Sequence, residues 1–393
     1  MPTRIRVLSV VDALEVGGVR EIVFSQLSSL DPGRFDLGLL TLGDDLEMAS
    51  GLLPTHVQLL ATHYRGDYGY GVLDYLSDAF LLRGARKFGR DALREIDRFD
   101  PRLLHFHTNP RDLGVGILAN RRTPRALVFT DHLVRIRPSD YSRHTRFLLR
   151  ASYRRLYRHF HTISVGPSVA ESNRDAGFLN PSREHLILEN QIDLHRFSPL
   201  TAARADRPLE IIYVGRIAQI KGLDTLIRAF GRLEVEAPVR LVLVGPDAMS
   251  GAMQRLADEC VDPPLQVQFL GPRTDVPSLL HRASIGVLPS RREGLPVALL
   301  EMMASALPVV VSDIPENTDI VSDGIDALVV PVDDADALAH ALQRLVLDLE
   351  MRRRLGQAAR ESAEVRNRVN ATAELARFYE LVAVSGYESQ GSP

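Results

Sequence analysis

Short apolar segments alternate with amphipathic helical segments along most of the chain, and this alternation limits the fold more than any other feature. The first unit has a strand over residues 4–11, a turn containing Gly17 and Gly18, and apolar residues at helical spacing over residues 19–30. Such alternation is typical of parallel sheets covered by helices on both faces. Further strands are predicted at residues 103–107, 126–130, 161–165, 210–214, 240–244, 267–270, 284–288, 308–311 and 327–330.

The chain length predicts two domains, because 393 residues exceed what one hydrophobic core usually supports. A Pro- and Ala-rich connection over residues 198–208 separates two series of strands. We therefore expect two Rossmann-like, doubly wound domains over residues 1–190 and 191–368, followed by a terminal segment over residues 369–393. Ligands of doubly wound sheets bind outside the carboxyl ends of the strands, which predicts a site in a central cleft faced by both domains.

The composition is that of an ordinary soluble protein, with 45% apolar and 25% charged residues. The single cysteine, Cys260, excludes an internal disulfide and a paired-cysteine metal site, and it favours a reducing cytoplasm. The apolar run at residues 7–11 is interrupted by Asp12 and is too short for a signal segment or a membrane span. We expect a cytoplasmic protein.

Two cations follow a predicted strand in residues 211–230, IIYVGRIAQIKGLDTLIRAF. The strand ends at Gly215, Arg216 and Lys221 follow, and a helix opens near Gly222. Cations beside the unpaired N–H groups of a helix N-terminus form an anion site suited to a diphosphate. The alternative is two solvated surface cations. Only two of the 47 basic residues are lysine, which favours a functional role for Lys221.

Two glutamates are spaced across a predicted strand-to-helix connection in residues 288–304, LPSRREGLPVALLEMMA. Glu293 lies in the loop, Pro296 lies where a helix begins, and Glu301 lies one or two turns inside that helix. The two carboxylates can face one cleft and accept hydrogen bonds from separate sugar hydroxyls. Alternatively, they are acidic residues that complement the helix dipole.

Together these segments resemble the retaining glycosyltransferase family 4, which has the two-domain GT-B fold. The resemblance extends over nearly the whole chain. Its strongest elements are Gly215-Arg216 with Lys221-Gly222 and the spacing of Glu293 and Glu301. Weaker elements are residues 17–18, 130–132, 190 with 193, and 269–271.

The resemblance implies roles for individual residues. Arg216 and Lys221 would neutralise the donor diphosphate, Glu301 would hold the ribose, and Glu293 would hold the transferred sugar. Donor contacts are implied for Gly17, Gly18, Arg216, Lys221, Arg273, Glu293, Gly294, Leu295 and Glu301, and catalytic roles for His132, Arg216, Lys221 and Glu293. The resemblance also implies retention of configuration, a hexose-type sugar, UDP more often than GDP, no metal or other cofactor, and a terminal helix that crosses back to the first domain.

The N-terminal domain is expected to bind the acceptor. His105 and His107 share one face of a predicted strand, and metal ligation, acceptor contact and a structural role are all open for them. His107, Asn109 and Tyr68 are the acceptor-side candidates. Tyr68 lies in an aromatic segment, residues 62–75, which fits either an acceptor lid or an ordinary surface loop.

Residues 135–161 contain eight arginines and one acid, Asp140, and predict a basic amphipathic helix. Its apolar face would pack on the domain while its basic face meets solvent. That basic face would also attract an anionic membrane surface, which predicts peripheral contact with the inner membrane face. Nucleic acid fits less well, because the net charge is −3 and no nucleic-acid module is recognisable.

Two motifs favour structural interpretations. Gly114-Val115-Gly116 with Ala119 fits a loose dinucleotide pattern but follows polar residues instead of a strand. Asp334-Ala335-Asp336 matches a DxD metal motif but precedes a helical run, so helix capping explains it better.

We therefore predict a glycosyltransferase of polysaccharide or glycoconjugate biosynthesis that acts on a glycan, lipid-linked or small-molecule hydroxyl. The alternatives are an epimerase or phosphorylase of the same fold, and a catalytically silent protein that binds a sugar nucleotide.

Overall fold

The architecture consists of two compact α/β units. A computed structural model describes residues 4–12, 18–42, 53–62, 85, 89–108, 112–133, 142–199 and 209–388. The N-terminal unit contains residues 1–189 and 370–393, and the C-terminal unit contains residues 190–369.

The N-terminal unit is built on a seven-stranded parallel sheet with the order β3-β2-β1-β4-β5-β6-β7. Its strands are β1 Ile5–Val11, β2 Phe35–Thr41, β3 Val57–Ala61, β4 Leu103–Phe106, β5 Ala126–Asp131, β6 His161–Ser164 and β7 His185–Ile187. The order reverses between β1 and β4, so the topological switch point lies there.

Both faces of this sheet are buried, which explains why its strands are almost continuously apolar. Alternate residues enter different cores: Leu8 and Val10 of β1 pack in one cluster, and Val7 and Val11 pack in the other. Five described helices precede the second unit: α1 Gly18–Ser29, α2 Arg90–Phe99, α3 Leu113–Arg122, α4 Arg143–Tyr157 and α5 Pro167–Asp175.

The C-terminal unit repeats this plan with a six-stranded parallel sheet in the order β10-β9-β8-β11-β12-β13. Its strands are β8 Leu209–Val214, β9 Val239–Val244, β10 Leu265–Gly271, β11 Ile285–Leu288, β12 Val309–Ser312 and β13 Leu328–Val330. Its helices are α6 Leu223–Phe230, α7 Ala252–Cys260, α8 Val276–Arg282, α9 Val297–Ala304, α10 Pro315–Thr318, α11 Ala335–Leu347 and α12 Leu349–Arg366. The prediction of two Rossmann-like parallel-sheet domains is confirmed.

The last described helix, α13 Ala371–Glu388, packs on the N-terminal sheet. Leu375, Phe378, Tyr379 and Val382 enter the same apolar cluster as Val23 and other residues of α1. This helix therefore forms part of the first unit, although it follows the second in sequence.

The structure revises the predicted basic helix. It describes α4 only over Arg143–Tyr157, because β6 begins at His161 and residues 134–141 lie outside the described part of the chain. The capping interpretation of the DxD motif is confirmed: the Asp334 carboxylate accepts hydrogen bonds from the N–H groups of Asp336 and Ala337. None of the described helices is long and apolar enough to cross a membrane.

Candidate functional site

The predicted donor residues follow the two strands at the switch point of the C-terminal sheet. Because β8 and β11 are adjacent and parallel, the segments after their carboxyl ends meet at the same edge of the sheet. Lys221 lies in a short 3₁₀ turn after β8, and Glu293 lies in the loop between β11 and α9.

Two glycines allow the backbone to approach closely at this point. Gly222 has a φ of 65°, and a Cβ there would lie 2.1 Å from the carbonyl oxygen of Pro289. Gly215 has a φ of 153°, and a Cβ there would lie 2.6 Å from the hydroxyl oxygen of Tyr213. That hydroxyl donates a 3.0 Å hydrogen bond to the Arg216 carbonyl. A side chain at Gly222 would push the two loops apart, whereas a side chain at Gly215 would displace the Tyr213 hydroxyl.

Lys221 and Glu293 form a two-pronged ion pair. The Lys221 ammonium donates to both carboxylate oxygens of Glu293 at 2.7 Å, and the side chains are only 17% and 9% exposed. The Ser290 hydroxyl also donates to Glu293 Oε1 at 2.6 Å. The carboxylate is thus held in one orientation by hydrogen bonds from two different loops.

A second layer of polar groups lies behind this pair. The Ser312 hydroxyl donates to the Ser290 carbonyl, and the Asn317 amide donates to the Ser312 carbonyl at 3.0 Å and to its hydroxyl at 3.1 Å. All three side chains are buried. The network therefore connects the Glu293 loop to the end of β12.

Arg291 also connects the two loops, a role that no sequence pattern predicts. Its backbone N–H donates to the Ile220 carbonyl at 2.8 Å, and its guanidinium donates to Asp224 at 2.8 Å and to Asp333 at 2.7 Å. Partial burial of Asp224 opposes its ionisation, but the hydrogen bond and charge of Arg291 hold the pKa of this carboxyl below its usual range. In an arginine-rich chain, no local signal distinguishes this arginine from the others.

The remaining donor candidates differ in their exposure to solvent. Arg216 is exposed and forms no ion pair with another described residue. Glu301 is half-buried in α9. Gly294 and Leu295 are buried, and within the described residues their backbone N–H groups donate to no protein acceptor. These amides and the Arg216 guanidinium are therefore available to a ligand.

Arg273 occupies a different position from the other candidates. It follows β10, which is two strands away from β8 at the edge of the sheet. Its guanidinium is exposed and makes two 2.8 Å hydrogen bonds to Asp275. The structure therefore does not group Arg273 with Lys221 and Glu293.

The N-terminal sheet places three histidines at neighbouring strand ends. His105 lies on β4, His107 follows β4, and His132 follows β5. The Nδ1 of His107 lies 3.1 Å from the Nε2 of His132, and the rings of His105 and His107 are 3.9 Å apart between centroids. His105 is hydrogen-bonded at 2.6 Å to the hydroxyls of Tyr379 and Thr130.

Burial keeps the inner two imidazoles neutral. Burial, assisted by repulsion from His132, lowers the pKa of His105 to about 3. Burial also lowers the pKa of His107 well below its ordinary value, with His105 and His132 adding to the effect. His107 is 3% exposed, so it contacts His132 instead of solvent, whereas His132 is partly exposed.

Several predicted residues are not positioned by the structure. Gly17, Tyr68 and Asn109 lie outside the described residues, and Gly18 is the first residue of α1. No group of three or more His, Cys, Asp or Glu residues arranged to hold a metal occurs within the described ranges.

Sequence comparison relates the C-terminal unit to known enzymes. The profile of the family described as "Glycosyl transferases group 1" matches residues 208–348, which include the Lys221 and Glu293 loops. The phosphatidyl-myo-inositol mannosyltransferase of Mycolicibacterium smegmatis is 26% identical over 78% of this chain and 79% of its own. The lipopolysaccharide core biosynthesis glycosyltransferase LpsE of Rhizobium meliloti is 29% identical over 50% of this chain and 56% of its own.

The chain spans about half the length of several of the curated relatives it matches. Structural comparison covers more of the chain. Anabaena HepE, solved in complex with UDP and glucose, has a TM-score of 0.76 at 16% identity, covering 96% of this chain and 100% of that one. This likeness shows the fold, which is the GT-B arrangement of two Rossmann-like domains. The profile match shows that residues 208–348, within the C-terminal unit, are similar to the group 1 glycosyltransferases.

Proposed function

We propose that this protein is a retaining glycosyltransferase that transfers a hexose-type sugar from a nucleoside-diphosphate donor to a hydroxyl acceptor. The observation that carries the proposal is the pairing of Lys221 with Glu293 at the switch point of the C-terminal sheet. This is where doubly wound folds bind nucleotides, and the pair brings a phosphate-binding cation next to a sugar-binding carboxylate.

The charges of this region suit a leaving diphosphate. An ammonium has three N–H donors, and Lys221 directs two hydrogen bonds to Glu293, which leaves one donor for a phosphate oxygen. Arg216 supplies a second cation from the end of β8. As the glycosidic bond breaks, negative charge grows on the diphosphate, and positioned cations stabilise that charge without reorganising. We propose that these two residues make a metal ion unnecessary.

The carboxylates and amides complete the proposed donor contacts. Glu293 and the free N–H groups of Gly294 and Leu295 would bind the transferred sugar, and Glu301 in α9 would bind the ribose hydroxyls. Gly17 and Gly18 would let the N-terminal backbone approach the phosphates. Arg273 would reach the nucleobase only from the neighbouring edge of the sheet, so we rank it below the other donor residues.

The N-terminal unit would supply the acceptor side. His132, at the end of β5, would contact the reacting sugar, and Asn109 and Tyr68 remain acceptor candidates. Retention of configuration follows from the resemblance to family 4. The acceptor would be a hydroxyl of a glycan, a lipid-linked sugar or a small molecule.

A thermal-shift screen against UDP-, GDP-, ADP- and TDP-sugars tests donor binding and base preference. We expect stabilisation by a nucleoside-diphosphate sugar, with UDP-sugars first, and a smaller shift for Lys221→Ala and Glu301→Ala. Arg232→Ala is the matched control, because Arg232 forms an exposed ion pair with Asp336. Equal shifts for all three variants would contradict the site.

Product analysis separates transfer from the alternatives. Transfer with retention predicts a glycoside of the donor's anomeric configuration by NMR and release of the nucleoside diphosphate without added metal. Epimerised donor, or sugar phosphate formed from glycan and phosphate, would indicate the epimerase or phosphorylase. Donor binding without hydrolysis or transfer to any acceptor would indicate a silent binding protein.

We also propose that α4 makes peripheral contact with an anionic membrane surface. Its exposed side carries Phe147 at 71% exposure and Leu148 at 43%, among arginines that include Arg143 and Arg154. Basic residues near an anionic bilayer contribute about 1 kcal/mol each, and an exposed aromatic ring can enter the interface. This placement suits a lipid-linked acceptor.

Vesicle sedimentation tests this contact. We expect binding to vesicles that contain phosphatidylglycerol, no binding to phosphatidylcholine alone, and loss of binding in Phe147→Ser. Leu347→Ser is the control, because Leu347 is 72% exposed on α11. Unchanged sedimentation of Phe147→Ser would refute the contact.

A further inference from the structure

The donor chemistry does not explain the position of His107 in the N-terminal group of histidines. It is buried, and its Nδ1 lies 3.1 Å from Nε2 of His132. Its other ring nitrogen, Nε2, is buried and has no hydrogen-bond partner among the described residues. Among the described residues, the His107 ring therefore has one hydrogen-bond partner, which is His132.

This arrangement distinguishes the two neutral tautomers of His107. If the proton were on Nε2, a buried N–H donor would have no acceptor, and orphaned buried N–H groups are rare in proteins. If the proton is on Nδ1, it is donated to His132, and only a lone pair remains unsatisfied. The second arrangement is the one that the burial favours.

We propose that His107 is a positioning residue that donates from Nδ1 to Nε2 of His132 and thereby fixes the tautomer and ring orientation of His132. Its Nε2 lone pair is then occupied, so the proton of neutral His132 lies on Nδ1. The N–H of His132 is thus kept on Nδ1, and in the proposed transfer His132 would act as a hydrogen-bond donor through that atom. The consequence for transfer rests on the proposed function, but the tautomer itself does not.

The surroundings of His107 hold its ring in place. The His105 ring lies against it with 3.9 Å between centroids, at an angle of 44°. His105 is itself fixed from both ends by the hydroxyls of Tyr379 on α13 and Thr130 on β5. The tautomer of a histidine is usually set by a hydrogen bond from a neighbouring residue whose own orientation is fixed by its contacts.

Nitrogen-15 NMR of histidine side chains reads this tautomer directly. The signals of His132 are assigned by their loss in His132→Gln. Two variants at position 107 form a matched pair: His107→Leu removes the donor, and His107→Asn keeps an N–H near the position of Nδ1. We expect protonated Nδ1 on His132 in the wild type and in His107→Asn, and a mixture of tautomers in His107→Leu.

Kinetics give the second readout. We expect kcat to fall about 10- to 100-fold in His107→Leu, with little change in the donor KM and partial recovery in His107→Asn, because lost support of a reacting residue changes turnover more than binding. A wild-type His132 protonated on Nε2 would overturn the proposal, as would an unchanged tautomer in His107→Leu. The wild-type spectrum tests the proposed tautomer of His132 even if His107→Leu fails to fold. A correct tautomer in a protein without transfer activity would support the proposal and refute the proposed function.

Discussion

The two units use the same strand order but place opposite kinds of chemistry at the ends of their central strands. In the C-terminal unit these ends carry full charges, and Lys221, Glu293 and Arg291 are held by ion pairs at 2.7 to 2.8 Å. In the N-terminal unit they carry three imidazoles held by hydroxyls and by one another, and burial keeps those of His105 and His107 neutral. One sheet thus presents a charged site, and the other a neutral hydrogen-bonding site.

This difference determines what each site is sensitive to. A half-buried ion pair is damaged when one partner is removed, because the remaining charge is left without compensation. A buried neutral imidazole is damaged when it is protonated, because the cation would lie in a region of low polarity. The C-terminal site should therefore respond most to charge-removing substitutions, and the N-terminal site to acid.

Removal of the Lys221 ammonium should have the largest effect. We expect Lys221→Ala to lower the free energy of unfolding by about 3 kcal/mol, because Glu293 is left buried and unpaired. We expect kcat/KM for transfer to fall by about 100-fold or more. The double variant Lys221→Ala, Glu293→Gln should be more stable in urea titrations than Lys221→Ala alone, but it should remain inactive. If the single and double variants unfold at the same urea concentration, the ion pair does not stabilise the charged site.

A side chain at Gly222 should open the charged site by forcing its loops apart. Gly222 and Gly324 have similar φ values of 65° and 71°, but a Cβ at Gly324 would meet nothing within 4 Å. Both alanine variants share the left-handed backbone penalty, so we expect Gly222→Ala to cost about 2 kcal/mol more than Gly324→Ala from crowding alone. Equal urea midpoints for the two variants would show that the close approach of Gly222 to Pro289 does not contribute to stability.

Acid should destabilise the N-terminal unit first. The pKa of His105 is about 3 in the folded state, whereas an ordinary histidine has a pKa of 6.5. Between these two pH values the unfolded chain binds more protons than the folded chain, so the free energy of unfolding falls as the pH falls. One such group costs at most about 1.4 kcal/mol per pH unit. Hydrogen exchange at pH 7 and 5.5, corrected for intrinsic rates, should show a greater loss of protection in β4 and β5 than in β8 and β11.

His105→Gln provides the control for the pH experiment, since a glutamine at position 105 does not titrate in this range. Its pH dependence of exchange in β4 should be flatter than that of the wild type. An equal loss of protection in both sheets would remove the distinction between a neutral and a charged site.

Loss of the Arg291 side chain should have the smallest effect. Arg291 is 24% exposed, so solvent screens part of its interactions with Asp224 and Asp333. We expect Arg291→Ala to reduce the free energy of unfolding by about 1 kcal/mol more than Arg232→Ala, because the side chains of the Arg232–Asp336 ion pair are 47% and 82% exposed. We also expect a raised donor KM, because the Lys221 and Glu293 loops lose a connection. Identical stability and KM in the two variants would contradict this role.

Local patterns predicted most of the fold. The predicted strands at β1, β4 to β6 and β8 to β13 are present within a few residues of their expected limits. The strands β2, β3 and β7 were not anticipated. β7 has only three residues, too few to show a periodic pattern, and β2 contains Gly38, which weakens a strand signal.

The candidate site was partly predictable, because Lys221 and Glu293 each lie in a short strand-to-helix segment that can be recognised alone. Their partners were not. Ser290 and Ser312 come from two strand ends, Asn317 comes from α10, and Arg291 joins segments separated by 42 to 72 residues. Such contacts produce no periodic pattern in the sequence, so they cannot be predicted from it.

By itself, the amino-acid sequence determined the alternation of strands and helices, the two-domain plan and the residue types available for donor chemistry, because these depend on short-range periodicity. The tertiary structure alone decided that His107 faces His132, that Tyr379 of α13 is hydrogen-bonded to His105, and that Arg291 connects two loops. These contacts arise from the order in which parallel strands assemble, and that order places residues far apart in sequence at a single sheet edge.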